Sequence, residues 1–568
     1  MKVSIKFKDF IYVRPDIEKC REEYDLLFKE FSEAGSAKEQ IEITGKINLK
    51  RNHFSTMNKI ASIRYTGDTE NTFYQDEKKY FDKNLPLYGS LIHNFYKIML
   101  RSEFRPELEE HYGKHLFDIA EMNIKTFDDE IIDDLKKENE LVTEYIKLCA
   151  SAKINFEGEE RNLTGMSFFI ESSDREVRKN ANTARWKFFE DNEKEFDRIY
   201  DELVKVRTHM AKKLGYKDFI EMAYDRHRRT GYNREDVKNF RDSVKEFIVP
   251  VAEEIKEAQK KRLGYDELHY YDLNLIFKSG NAFPKGSPEW INDKAGIMYS
   301  ELSPDTKEFF NFMTDHGLMD LDNRNGKQGG GYCTFIPDYK SPFIFSNMNG
   351  TSHDVTVLTH EAGHAFQAFE SRNFAVPEYT SPTLEACEIH SMSMEFITWP
   401  WMNLFFEEDT AKFLFTHLTG RVLFIPYGVT VDEFQHRVYE NPDMTPHERK
   451  QVWREIEKKY TPYKVYEDND FLERGGWWMH QKHIFASPFY YIDYCLAQVC
   501  AFQFWEKCNL DRDKAWEDYL TLCKAGGSKP FLELTELAGL KSPFKSETIK
   551  YITDYCENFL KSMEKDFA

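Results

Sequence analysis

Long hydrophobic runs are missing from this sequence: no stretch of the 568 residues approaches about 18 uncharged apolar positions, which argues against a transmembrane helix. The first ten residues alternate apolar with charged or polar side chains and lack the unbroken apolar core of an export signal, so a soluble, cytoplasmic protein with no membrane partner is expected. Cysteine pairing signals are absent too. The nine cysteines are scattered and show no CxxC spacing, so neither a disulfide framework nor a thiolate metal site is indicated, and reduced, mostly buried thiols are expected. Positive charge is in deficit, with 78 Lys and Arg against 98 Asp and Glu. The resulting formal charge of −20 disfavours nucleic acid, whose recognition needs basic surface to neutralise phosphates. No internal repeat, low-complexity tract or heptad run is present, so solenoid and fibrous architectures have no support.

What the sequence has is core-forming material. Hydrophobic residues make up 41% and aromatics 15%, including 47 Phe and 31 Tyr, enough for a large buried interior. The length exceeds what one core usually serves, so two or more lobes are expected. The first 200 residues are rich in Glu, Lys, Leu, Ile and Phe and poor in breakers, which predicts helix. Phe189, Phe196, Ile199, Leu203 and Val206 recur as one apolar helix face would, and such a stripe is core. Breakers cluster at 279–288 and 322–331, both predicted loops. Residues 332–346 are rich in Phe, Tyr, Ile and Thr but interrupted by Pro337 and Pro342, predicting short strands at an exposed edge. The fold class expected is mainly α, with a small β-sheet just ahead of the segment that carries the chemistry.

That segment is His360-Glu361-Ala362-Gly363-His364, which fits HExxH. On a helix, residues four apart share a face, so both imidazoles reach one ion, and Glu361 stands beside them as candidate general base. Gly363 is a poor helix former, so it points to close packing or to room for a substrate. An acidic stretch follows, with Glu385, Glu388 and Glu395. Two His and one Glu would leave a fourth coordination position open, as in catalytic zinc sites, and spacing alone does not choose among the three glutamates. In a helix Glu388 and Glu395 share a face two turns apart, suiting a ligand and a support behind it.

HEAGH followed by EIHSMSME resembles the M3 family of oligopeptidases, particularly the oligoendopeptidase F branch of these thimet-oligopeptidase-like gluzincins. The resemblance extends, less specifically, to Arg14-Pro15-Asp16, to 152–158 and to Gly329-Gly330-Gly331-Tyr332-Cys333. It implies one Zn2+ per chain held by His360, His364 and Glu388, with Glu395 in an outer acidic position. It further implies a helical clamshell with a deep internal cavity that admits short unstructured peptides. The division expected is a helical lobe at 1–200 and a zinc peptidase region at 201–568. Residues 483–494 resemble the family's His and Tyr segment, implying Tyr494 as oxyanion donor and His483 and Tyr491 as substrate or transition-state contacts. Ala486-Ser487-Pro488 stands where thimet-type members have a glycine-rich loop, so a slip of one residue keeps Tyr490 a candidate.

The activity this implies is internal cleavage of oligopeptides. A dipeptidyl carboxypeptidase shares the chemistry but needs a cation for the terminal carboxylate, for which Lys482, Arg437 and Arg474 are candidates. A catalytically silent peptide-binding protein is the third reading, disfavoured by the complete constellation. Residues 342–347 are a candidate edge for pairing with an extended peptide. His353, His390 and His480 lie nearby and are expected to be structural.

Overall fold

The computed structural model describes residues 5–324, 326–565 and 567; residues 1–4 of the N-terminal stretch and Asn325 of the second breaker loop lie outside them. The fold is mainly α. Three long helices open it: α1 (Ile17–Glu33), α2 (Ala37–Gly67) and α3 (Thr72–Leu100). Each starts on a side-chain oxygen that satisfies otherwise orphaned amides. Asp16 accepts from Glu18 and Lys19 (3.0 and 3.2 Å), Ser36 from Glu39 (3.3 Å) and Asn71 from Tyr74 (3.3 Å).

A two-stranded hairpin follows, β1 (Ile154–Phe156) against β2 (Glu159–Arg161), and then α4 (Arg175–Asp191) and α5 (Glu193–Lys213). The stripe predicted from Phe189 to Val206 is thus divided between two helices. Asn192 ends α4, its side-chain amide donating to the Phe188 carbonyl (2.8 Å), and its own carbonyl accepts from the first turn of α5. The rings of Phe189 and Phe196 still meet across this break, 5.4 Å apart, so the stripe remains core. A boundary at 200/201 falls inside α5. One contiguous hydrophobic cluster extends from Phe10 to Leu560 and joins the two halves of the chain.

The second sheet has three strands, β3 (Met319–Asp322), β4 (Tyr332–Ile336) and β5 (Ser341–Met348), in the order β3-β5-β4. This corrects the expected edge at 342–347. β5 is central, parallel to β3 and antiparallel to β4, and the edge strands are β3 and β4. Pro342 is tolerated because its nitrogen faces the β3 side two residues before that pairing begins at Ile344, whose amide donates to Leu318 (2.9 Å).

Against this sheet lies α6 (Ser352–Glu370), which carries HEAGH. Its entry is pinned by the buried Asp354 in the first turn, whose carboxylate accepts from the Asn349 and Gly350 amides (2.9 and 2.6 Å). α7 (Leu384–Ile397) packs between α6 and α9 (Tyr491–Leu510), and α8 (Thr410–Glu440) packs on α9. Among the described residues no helix is long and apolar enough to cross a membrane.

Two contacts hold the site region in place. At Gly363 a Cβ would sit 2.6 Å from the His390 carbonyl oxygen and 2.7 Å from Ser391 Cα, so α6 and α7 touch backbone to backbone. Arg51 of α2 and Tyr96 of α3 both bind Glu378, buried in the turn between α6 and α7, which ties the N-terminal helices to that turn. Burial works to raise the Glu378 carboxyl, and Arg51 and Tyr96 override it, bringing it to about 2 from an ordinary 4.5.

Gly363→Ala is expected to lower stability by about 1–3 kcal/mol in urea unfolding, because backbone rather than a flexible side chain must yield. The Glu378 pair contributes stability that is complete above pH 4.5 and lost as pH falls toward 2, about 3 kcal/mol in all. Glu378→Gln should therefore flatten unfolding free energy against pH over that window while lowering it by about 3 kcal/mol at pH 7, since Arg51 is left buried without its charge partner.

Candidate metal centre

His360, Glu361 and His364 occupy the middle of α6, the two imidazoles partly buried and Glu361 buried. Helical spacing brings the rings to 5.0 Å centroid to centroid, nearly perpendicular at 84°. The Gly363 contact presses α7 onto the same stretch, and Glu388 reaches across: its Oε2 lies 3.3 Å from His360 Nε2 and 3.4 Å from His364 Nε2. The three ligand-capable atoms all fall within 4.8 Å of one another. Two imidazole nitrogens and a carboxylate oxygen are a donor set suited to zinc, leaving a coordination position free. Of the three glutamates open from spacing, Glu385 points elsewhere, accepting from Tyr232 (3.1 Å).

Glu395, two turns beyond Glu388, accepts from His360 Nδ1 (2.8 Å). A carboxylate can only accept, so the His360 proton sits on Nδ1 and the Nε2 lone pair is turned toward the other ligands. The second Glu395 oxygen binds His417 Nε2 (2.7 Å) and Arg421. The Trp399 indole, a donor only, occupies His417 Nδ1 (3.2 Å), which sets that tautomer as well. Burial works to raise the Glu395 carboxyl, but Arg421, His360 and His417 hold it well below the usual range. His417 and Arg421, both on α8, escaped the sequence reading, since no local pattern ties them to Glu395.

Glu388 is braced on both oxygens, Oε1 accepting from Tyr490 (2.5 Å) and Oε2 from Ser391 (2.8 Å). Glu361 differs: its Oε2 is buried without any hydrogen-bond partner among the described residues, unusual where buried polar atoms are nearly always paired. Burial pushes its pKa up, against the pull of His360 and His364. It faces a cavity of ≈ 290 Å³ walled by β4, the two histidines, Glu388, Tyr490 and Tyr494. Gly331 leaves room there, since a Cβ would lie 3.5 Å from Glu361 Oε1.

Tyr490 and Tyr494 therefore share the metal-ligand cavity, with ring centroids 4.7 Å apart. His483 contacts both tyrosines and Tyr491 (5.7, 5.8 and 5.0 Å), but neither it nor Tyr491 is among the residues walling that cavity. Tyr491 packs on Phe424 and Tyr427. Burial, with Lys482 adding to it, lowers His483 to about 4, so its imidazole is neutral at pH 7. His390 is buried on the Ala386 carbonyl (2.7 Å), His480 is partly buried on the Trp477 carbonyl (2.6 Å), and His353 is exposed. Of the cations considered for a terminal carboxylate, Arg437 pairs with Glu455 (3.7 Å) and Arg474 with Glu193 (3.0 Å), while Lys482 is exposed.

Comparison with known proteins gives the chain a family. Oligopeptidase PepF of Bacillus subtilis (strain 168) is 24% identical over 399 residues, 68% of this chain and 57% of its own length, so the match spans little more than half of that relative. Oligoendopeptidase F, chromosomal, of Lactococcus lactis subsp. cremoris is 24% identical over 97% of this chain and 93% of its own. A solved structure of PZ peptidase A with inhibitor 2 superposes with a TM-score of 0.96 at 54% identity, covering 98% of this chain and 99% of that one. The Peptidase M3 N-terminal domain matches residues 7–127. The family's main model, Peptidase family M3, matches residues 168–279 and 303–553, more than half of the chain and every residue of the His360, His364 and Glu388 cluster, and the chain therefore belongs to peptidase family M3.

Proposed function

We propose that this chain is a zinc-dependent endopeptidase that hydrolyses internal bonds of short unstructured peptides, with Glu361 as general base. The observation that carries the reading is the buried, unpartnered Glu361 Oε2 beside three converging ligand atoms in a cavity. Family membership supports the reaction class, and the free state of all nine cysteines suits a reducing compartment, the cytoplasm.

Bound by His360, His364 and Glu388, a zinc ion supplies Lewis acidity that lowers the pKa of water toward about 7 and polarises the scissile carbonyl. Glu361 takes the proton of the attacking water and delivers it to the departing amine; the pKa raised by burial brings a carboxylate closer to the working pH, where a base is most effective. Tyr494, whose hydroxyl burial keeps protonated, donates to the carbonyl oxygen as negative charge develops on it. Tyr490 steadies Glu388. His483 is a second donor: Gln481 accepts from Tyr427 (2.6 Å) and turns its NH2 to His483 Nδ1 (2.8 Å), leaving the proton of the neutral ring on Nε2. Tyr491 packs beside His483 and sets its orientation. The outer edge of β4, which walls the cavity, is the place for an extended peptide backbone to add as a further strand.

With a quenched fluorescent peptide of about ten residues, wild type should cut internally, a chelator should abolish cutting and zinc should restore it. Glu361→Gln should lower kcat about a thousandfold. Unimpaired cleavage in the chelated protein would overturn the reading. Glu395→Gln should weaken zinc binding about 10- to 100-fold in chelator competition, because the His360 Nδ1 proton loses its anionic acceptor.

A further inference from the structure

A second cavity of ≈ 510 Å³ adjoins the metal-ligand cavity, and Cys333, Thr334, Phe335 and Ser381 wall both. Its composition runs against the rest of the chain. The sequence carries a net charge of −20, yet among the described residues this cavity is lined by Arg51, Lys59, Lys340 and Arg372 and by no Asp or Glu. Arg51 is committed to Glu378. The other three cations have no carboxylate within ion-pair reach among the described residues. Lys340 donates to the Asn373 side chain (2.8 Å). Arg372 lies over the Phe369 ring and donates to that residue's carbonyl. Lys59, on α2, is partly buried and has no hydrogen-bond or ion-pair partner among the described residues.

A half-buried ammonium with no counterion is costly, and burial accordingly lowers the Lys59 pKa. The same low-dielectric setting strengthens its attraction for an anion that enters. Since the two cavities adjoin along β4, a peptide lying on that strand across the candidate metal ligands would pass its flanking residues over Lys59 and Arg372. We propose that this cavity is a carboxylate-binding subsite of the peptide cleft, with Lys59 and Arg372 as specificity-determining residues that favour substrates carrying an acidic group a short distance from the scissile bond. The inference rests on the endopeptidase reading for its substrate and adds a chemical preference to it. The carboxylate comes from an Asp or Glu side chain or from the peptide's C-terminus.

The test uses quenched peptides carrying Glu or Gln at successive positions on each side of the cleaved bond, each made as C-terminal acid and as amide. In wild type, one position should show a Glu-to-Gln ratio of kcat/KM of about tenfold, or the acid-to-amide ratio should reach that size. The first result assigns the subsite to a side chain and the second to the terminus. Lys59→Met and Arg372→Gln should each bring that ratio toward one, and Lys59→Arg should restore it. Ratios within about twofold of one throughout wild type, or a ratio that survives both substitutions, would overturn the proposal. Anisotropy of the same labelled peptides on Glu361→Gln reads carboxylate preference without turnover. If no peptide is cleaved by wild type, the endopeptidase reading has failed, and the binding ratios still decide the subsite.

Discussion

The site depends on one steric fact, the absence of a side chain at Gly363. Helix axes normally stand apart by the width of their side chains. Here the backbone of α7 at His390 and Ser391 occupies the space a Cβ would take. That approach lets a glutamate side chain from α7 bring its oxygen to 3.3 and 3.4 Å from the two imidazole nitrogens of α6. A glycine that weakens the helix locally is retained where the gain is geometric. The turn between the two helices is clamped in turn by Arg51 and Tyr96, so N-terminal helices distant in sequence help hold the α6–α7 pair.

Around that contact the chain buries charge, and buried charge persists only where it is paired. Glu395 is met by His360, His417 and Arg421, and Trp399 closes the series by occupying the last imidazole nitrogen. Each donor-only or acceptor-only partner removes one tautomeric choice, so His360 is left with its Nε2 lone pair directed at the metal-ligand cluster. Glu388 is braced by Tyr490 and Ser391. Glu361, by contrast, keeps one buried oxygen unpaired among the described residues, and it lines the cavity shared by His360, His364 and Glu388. The adjoining cavity shows the same logic with the opposite sign, since Lys59 is the cation there without a partner among the described residues.

Legibility in the sequence followed the range of the interaction. HEAGH was readable because its geometry lies within one helical turn, whereas spacing left Glu385, Glu388 and Glu395 open and only the family resemblance implied Glu388. Helix in the first 200 residues was readable from composition, although Asn192 broke a stripe that periodicity ran together. Strand residues at 342–347 were recognisable, but the central place of β5 was not, because Pro342 signals an edge and only β3, arriving from residues 319–322, reveals that its nitrogen faces an unpaired stretch. Arg421 and His417 lie on α8, and nothing local marks them as partners of Glu395.

By itself, then, the sequence determined the mainly helical class and a set of candidate ligands with a candidate base beside them, because helical periodicity and side-chain chemistry are local properties, and its motifs carried the resemblance to the family. Tertiary structure alone decided that Tyr490 and Tyr494 rather than Tyr491 share the cavity of the two histidines, and that β5 is central with β3 and β4 at the edges. It also gathered Lys59, Lys340 and Arg372 from segments up to about 300 residues apart into one wall. These are outcomes of packing between elements remote in sequence, and no local pattern encodes which faces will meet.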